Sequence, residues 1–179
     1  SMIFERAARR DRRRSPDVDE GYDVEINTVE LGIDPNNWES GLADAVAGGW
    51  RCPIAPDRAL LLGDVAKGVG VDITCQLAAI RVMGSKSREL MARFCALDLR
   101  PHLAPPRAFR PGSIGRTPGY VLCEQADQYL LLFGAAYSEY LWGVVSDAGA
   151  ELGGGPVGAD FMSAIESSSD DPGEVDSGA

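Results

Sequence analysis

The chain of 179 residues is long enough for one domain with a hydrophobic core and too short for two large domains. Its composition of 45% apolar and 25% charged residues is that of a globular protein, and no apolar run reaches the length of a membrane span. A formal net charge of −10 argues against binding to nucleic acid, because an acidic surface repels phosphates.

Charge is unevenly distributed between the two ends of the chain. Residues 1–14 hold six arginines against two acidic residues, and residues 163–179 hold five acidic residues and no basic one. High local charge with few apolar residues is typical of disorder. The sequence therefore predicts a disordered Arg-rich arm over 1–20, a single domain over 21–162 and a disordered acidic tail over 163–179. The first residues lack the apolar core of a signal peptide, which predicts a cytoplasmic protein.

The first predicted elements are a strand, a helix and a second strand. Alternation of apolar and polar residues over Tyr22–Asn27 predicts a half-buried strand. After the turn residues 34–37, apolar side chains at helical spacing predict a helix over 38–46 that ends at Gly48–Gly49. The apolar run Arg58–Leu62 predicts a buried strand.

The middle of the chain predicts a long strand, a helix and a loop. Residues 71–83 are rich in β-formers, and a shift of phase near Ala78–Ala79 indicates a bulge. A helix follows Gly84–Ser85, with an apolar stripe made of Leu90, Met91, Phe94, Cys95 and Leu97. Four prolines within residues 101–112 predict a loop.

The last part of the chain predicts further strands and a helix. Strand segments are expected at Ser113–Arg116 and Tyr120–Cys123, around Pro118–Gly119. The strand at Gln128–Phe133 is expected to follow a hairpin turn at Ala126–Asp127. A helical period then starts at Tyr137 and runs through Tyr140, Leu141, Val144, Val145 and Ala148. The order of elements predicts an α+β fold of ferredoxin-like split β-α-β units, an antiparallel sheet with helices on one face.

No metal or catalytic centre is evident. The four cysteines are widely spaced, and the single histidine, His102, is expected to be a solvated residue of the proline-rich loop. Apolar neighbours predict that Cys75, Cys95 and Cys123 are buried free thiols. The lack of a secretion signal predicts that no disulfides form.

Four sequence blocks resemble, in order, the motifs of one protein family. VDIT (71–74) with AIRVMG (79–84) resembles the opening of the aminomethyltransferase, or glycine-cleavage T-protein, folate-binding superfamily. FCALDLRP (94–101) resembles a stretch of the gamma subunit of heterotetrameric sarcosine oxidase. FRPGSIGRT (109–117) and YSEYLW (137–142) resemble two further motifs of that subunit. The blocks together span nearly half of the chain.

The resemblance implies a folate-binding-domain-like fold and the role of a non-catalytic gamma-type subunit. In the implied complex, large flavin-bearing alpha and beta subunits and a small delta subunit are the partners, with no membrane or nucleic acid. FAD, FMN, NAD, zinc and tetrahydrofolate are held by those partners, and this chain holds no cofactor. The complex would demethylate sarcosine to glycine oxidatively, with the one-carbon unit released to tetrahydrofolate or as formaldehyde.

Two alternatives stay open at this stage. One is a standalone folate-binding or aminomethyltransferase-like one-carbon protein, and the other is an adaptor in an unrelated complex. Folate-binding enzymes of the superfamily carry paired aspartates in a segment that corresponds to Gly115–Leu122 here, and this segment contains no aspartate. Without such a carboxylate, aminomethyl transfer lacks its charged partner.

Residue type singles out candidates for contacts with a partner or a ligand. Aromatic residues of the last helix are favoured interface anchors, and arginines suit an acidic subunit surface or a polyglutamyl tail. The candidate interface residues are Tyr137, Tyr140, Trp142, Arg100, Arg110 and Arg116, with Arg81 as a further arginine of this group. Asp72 is a weaker ligand candidate, and its alternative role is to cap or pair at the end of a strand.

Overall fold

The computed structural model describes residues 3–7, 26–30, 40–64 and 70–157. In this part of the chain, eleven strands form two β-sheets, and two α-helices cover one of the sheets. The helices are α1 (Ser87–Phe94) and α2 (Ser138–Glu151), and a 3-10 turn, Ala135–Tyr137, leads into α2. None of the described helices is long and apolar enough to span a membrane.

Neighbouring strands run antiparallel in both sheets, except for one parallel pair at an edge. In order across the first sheet, the strands are β11 (Gly155–Pro156), β1 (Ile3–Ala7), β7 (Leu77–Met83), β10 (Gln128–Gly134), β9 (Thr117–Gln125) and β8 (Phe109–Ile114). In order across the second sheet, they are β3 (Asp44–Val46), β4 (Gly49–Ala55), β5 (Arg58–Gly63), β2 (Ile26–Glu30) and β6 (Val71–Asp72). The parallel pair is β1 with β11.

The helices cover one face of the first sheet, and the second sheet covers the other. Successive residues of a strand point to opposite faces. On β10, Leu131 packs in the core under the helices, whereas Leu130 and Leu132 pack in the core between the sheets. The run Tyr129–Phe133 is at most 3% exposed at every position, as a strand buried on both faces requires.

This architecture confirms the predicted α+β class with antiparallel pairing and helices on one face. The helix α2 joins β10 to β11, which run parallel in the same sheet with β7 and β1 between them. Such a connection is a split β-α-β unit. The second sheet was not predicted, and its strand β4 occupies a stretch with no predicted element.

The helix predicted over 38–46 is wrong at its C-terminal end. Asp44–Val46 forms β3, which pairs with β4 through a tight hairpin. Gly48 closes this turn with a left-handed φ of 80°, which glycine adopts without a steric penalty. Pairing with β4 thus outweighs the helical spacing of the apolar residues. The part of this predicted helix before Ser40, and the part of the first predicted strand before Ile26, lie outside the described residues.

The long strand predicted over 71–83 is in fact two strands in different sheets, β6 and β7. A turn separates them, in which the Gln76 N–H donates to the Ile73 carbonyl (2.8 Å). The Thr74 N–H also donates to Oδ1 of Asp72 (2.9 Å), a side-chain bond that stabilises such turns. The chain leaves the second sheet for the first at this turn, so no bulge is needed.

Two segments predicted to be irregular contain strands. Ile3–Ala7 lies within the arm predicted to be disordered over 1–20, and it pairs with β7 along its whole length. The remainder of the arm and the acidic tail over 163–179 lie outside the described residues. The loop predicted over 101–112 is shorter than expected, because β8 begins at Phe109. Pro111 is accommodated in this strand because β8 is an edge strand, where a missing N–H breaks no ladder bond.

Several predicted elements are confirmed. They are the strands at Arg58–Leu62 and Gln128–Phe133, the hairpin turn at Ala126–Asp127, and both helices of the second half. The strand segments expected at Ser113–Arg116 and Tyr120–Cys123 belong to β8 and β9, and the turn between these strands lies at Gly115–Arg116, within the first expected segment. Both residues of the actual turn adopt left-handed φ angles, 54° and 66°, and Pro118–Gly119 continues as strand.

Candidate docking surface

An open apolar groove lies at the edge of the core between the two sheets, and all of its lining residues come from the first sheet. It lies where Gly119 pairs with Gly112 on β8 and with Phe133 on β10, and the backbone of the two glycines contributes to its lining. The groove has a volume of about 340 Å³. Its lining residues are all uncharged: Leu77, Pro111, Gly112, Pro118, Gly119, Tyr120, Phe133 and Gly134.

The floor and one wall of this groove are fixed by close packing. A Cβ atom on Gly119 would lie 2.6 Å from the backbone oxygen of Leu132 and 2.8 Å from Cδ1 of Ile114, so only glycine fits. The ring of Tyr120, which forms the wall, stacks on Phe109 with ring centroids 5.1 Å apart and planes 9° apart. The groove is therefore shaped before any partner arrives.

Tyr137 and Tyr140 form an aromatic rim beside the groove. A Cβ atom on Gly134, which lines the groove, would lie 3.5 Å from Cδ2 of Tyr137. The Tyr140 hydroxyl donates to the Gly115 carbonyl (3.0 Å), which holds its ring over the turn between β8 and β9. The two tyrosines are 43% and 50% exposed, although the helical period placed them on the apolar stripe of α2. The buried residues of α2 are Leu141, Val145 and Gly149.

Arg116 is a charged residue next to Gly115, which Tyr140 contacts. It is exposed in the turn Gly115–Arg116, one residue before the strand that carries Pro118 into the groove lining. Within the described part of the chain, it has no ion-pair partner. We refer to the groove together with Tyr137, Tyr140 and Arg116 as the groove end. The structure thus brings together three of the predicted interface residues.

The other three interface candidates contact neighbouring parts of the protein. Trp142 is half-buried and packs against the core under the helices. The Arg110 guanidinium donates to the Gly41 carbonyl (2.7 Å). Nε of Arg100 lies 2.9 Å from both carboxylate oxygens of Asp98, and these bonds lower the pKa of Asp98 to about 2. These three residues therefore do not converge with the groove end.

The ligand candidate and the single histidine lie apart from any cluster of reactive groups. Asp72 is exposed, and its bond to the Thr74 N–H is the capping role weighed as the alternative. His102 is exposed in the connection between α1 and β8. No three His, Cys, Asp or Glu residues among those described are placed to hold a metal ion together.

The four cysteines are free, and three of them are buried. Burial raises the pKa of the Cys52, Cys95 and Cys123 thiols above the ordinary value, and nearby carboxylates add to this effect at Cys52. Cys75 was predicted to be buried but is exposed, because it lies in the turn between β6 and β7 rather than inside a continuous strand.

The opposite end of the space between the sheets is closed by charged residues. Nε and Nη2 of Arg81 donate to the two carboxylate oxygens of Glu124 (2.7 and 3.0 Å), and Gln128 donates to the same carboxylate (3.1 Å). The side chains of Arg81 and Glu124 are only 17% and 5% exposed, so Arg81 already has its acidic partner. Strand alternation could have indicated this pair, since Glu124 shares a face with the buried Leu122.

A second carboxylate links the two sheets nearby. Asp44 accepts hydrogen bonds from Arg51 (2.6 Å) and from Arg107 (3.0 Å). Arg107 also donates from Nε to the Ala43 carbonyl (2.8 Å) and from its backbone N–H to the Cys123 carbonyl (2.7 Å). It therefore ties the start of β3 to β9 of the first sheet. We refer to the two carboxylates and their donors as the closed end.

The outer edge of β8 is closed to a further strand. The Phe109 N–H donates to the Gly41 carbonyl (2.8 Å), and the Ser113 carbonyl accepts from the Ala96 N–H (3.0 Å). Pro111, midway between them, has no N–H. A partner that adds a strand needs a row of free backbone groups, and this edge does not provide one.

Comparison with known proteins gives a likeness of fold. No protein-family model and no curated protein matches the chain. One solved structure that matches is the heterotetrameric sarcosine oxidase from Corynebacterium sp. U-96 in complex with pyrrole 2-carboxylate, with a TM-score of 0.60 and 14% sequence identity. The match covers 72% of this chain and 80% of that chain. The chain has the fold of a sarcosine oxidase subunit. Because similar shares are covered, the oxidase chain is also comparable to this one in length.

Proposed function

We propose that this chain is a small, non-catalytic, gamma-type subunit of a heterotetrameric sarcosine oxidase, or of a close N-methyl amine oxidase. The observation that carries the proposal is the likeness of fold to an oxidase chain of comparable length. The sequence blocks that resemble the gamma subunit support it separately, because they depend on residue identity and not on the fold.

Three of those blocks contact one another. Cys95 of the FCALDLRP block pairs with Ile114 of the FRPGSIGRT block, and the Gly115 N–H donates to the Phe94 carbonyl (2.7 Å). Tyr140 of the YSEYLW block donates to the Gly115 carbonyl. The three blocks are separate in sequence but meet around one turn, which supports a shared local structure as the reason for the resemblance.

The proposal places the redox chemistry on the partner subunits. By this proposal, large alpha and beta subunits and a small delta subunit supply FAD, FMN, NAD, zinc and tetrahydrofolate, and the complex works in the cytoplasm. The groove of this chain does not fit a pterin, because no carboxylate lines it to bind the ring nitrogens. The chain contributes a packing surface to a complex that converts sarcosine to glycine and releases the one-carbon unit to tetrahydrofolate or as formaldehyde.

The test is to purify the tagged full-length chain from cells of its natural source under mild salt. We expect a yellow complex that contains larger subunits and produces peroxide only when sarcosine, or a related N-methyl amine, is added. The visible spectrum identifies flavin, and mass spectrometry identifies the subunits. A tag on an unrelated protein of similar charge is the control for non-specific capture.

Two outcomes would contradict the proposal. A chain that emerges colourless and alone, yet binds tetrahydrofolate in a titration, would be a standalone one-carbon protein. A chain that emerges with proteins that carry no flavin would be an adaptor of an unrelated complex.

A further inference from the structure

We draw no further inference here: the strongest candidate, the apolar groove beside Gly112 and Gly119 on the first sheet, is an uncharged surface, and nothing in the structure shows what covers it.

Discussion

The space between the two sheets has two ends that are built in opposite ways. At the closed end, Arg81 and Glu124 form an ion pair on the first sheet, and Asp44 accepts hydrogen bonds from Arg51 of β4 and from Arg107, which precedes β8. At the groove end, the lining combines glycine backbone with proline, leucine and aromatic side chains, and it holds no charged residue. The same pair of sheets therefore has charged residues with partners inside the protein at one end, and an uncovered apolar surface at the other.

The closed end helps to specify the fold, whereas the groove end offers surface that another group can cover. A buried ion pair adds little net stability, because desolvation offsets the attraction, but the loss of one partner leaves a costly unpaired charge. Another register of the strands would separate these paired charges, and the closed end therefore disfavours it. The groove end contains no charge that needs a partner. Its exposed apolar surface contributes favourable free energy only when another group covers it.

The largest effect is expected from breaking the closed end on one side. Arg81→Met leaves the Glu124 carboxylate, whose side chain is 5% exposed, without its charged partner. We expect the free energy of unfolding to fall by about 3–5 kcal/mol. Urea denaturation followed by circular dichroism measures this loss.

The matched control removes both charges. Arg81→Met combined with Glu124→Leu leaves no buried charge, so the double variant should be more stable than the single one. If the single variant loses less than the double variant, the closed end is not held by this pair.

The groove floor gives the next largest effect. Gly119→Ala forces a Cβ against the backbone oxygen of Leu132, which cannot rotate away, and should lower the free energy of unfolding by about 1–3 kcal/mol. Gly143→Ala is the control, because a Cβ there meets nothing within 4 Å and the residue lies inside α2. It should raise stability by up to about 1 kcal/mol. Equal shifts in the urea midpoint for both variants would show that the floor is not tightly packed.

Elements with a local signal could be predicted from the sequence. The strand at Gln128–Phe133 is a continuous apolar run, and α2 has a helical period, so both are defined within a few residues. The second sheet lacks such a signal. Its strand β3 has only three residues and exists because Gly48 permits a hairpin to β4. The residues of β3 alone match a helix as well as a strand, and only pairing decides between the two.

The candidate site shows the same limit. Tyr137, Tyr140 and Arg116 could be proposed from residue type, since aromatic and arginine residues are common in interfaces. The groove itself was missed, because part of its lining is glycine backbone, which leaves no apolar pattern in the sequence. It depends on the register that sets Gly119 opposite Gly112, and the two-residue turn at Gly115–Arg116, which was not predicted, fixes that register. Arg81 was misjudged for a related reason, since its partner Glu124 lies far along the chain.

Cys52 and Cys75 lie near opposite ends of the space between the sheets, and we expect their thiols to differ in reactivity. Cys52 is fully buried near the closed-end carboxylates, and burial raises the pKa of its thiol. Cys75 is exposed in the turn that precedes Leu77 of the groove lining. Since the thiolate is the reactive form, we expect iodoacetamide at pH 8 to modify Cys75 first and to leave Cys52 intact until the protein unfolds. Mass spectrometry of tryptic peptides would detect the reverse order, which would contradict the burial of Cys52.

The smallest effect concerns an exposed ion pair that contrasts with the buried pair of the closed end. Hydrogen bonds from Arg100 lower the pKa of Asp98 from its ordinary value of 3.8 to about 2. Because the folded-state pKa is the lower one, the pair contributes stability above pH 4 and loses it as the pH falls towards 2. The pair is exposed to solvent, so Asp98→Asn should leave the urea midpoint at pH 7 almost unchanged. NMR titration of the Asp98 carboxyl carbon should show a midpoint near 2 that moves towards 3.8 in Arg100→Met. A midpoint that stays near 2 in that variant would show that Arg100 does not cause the shift.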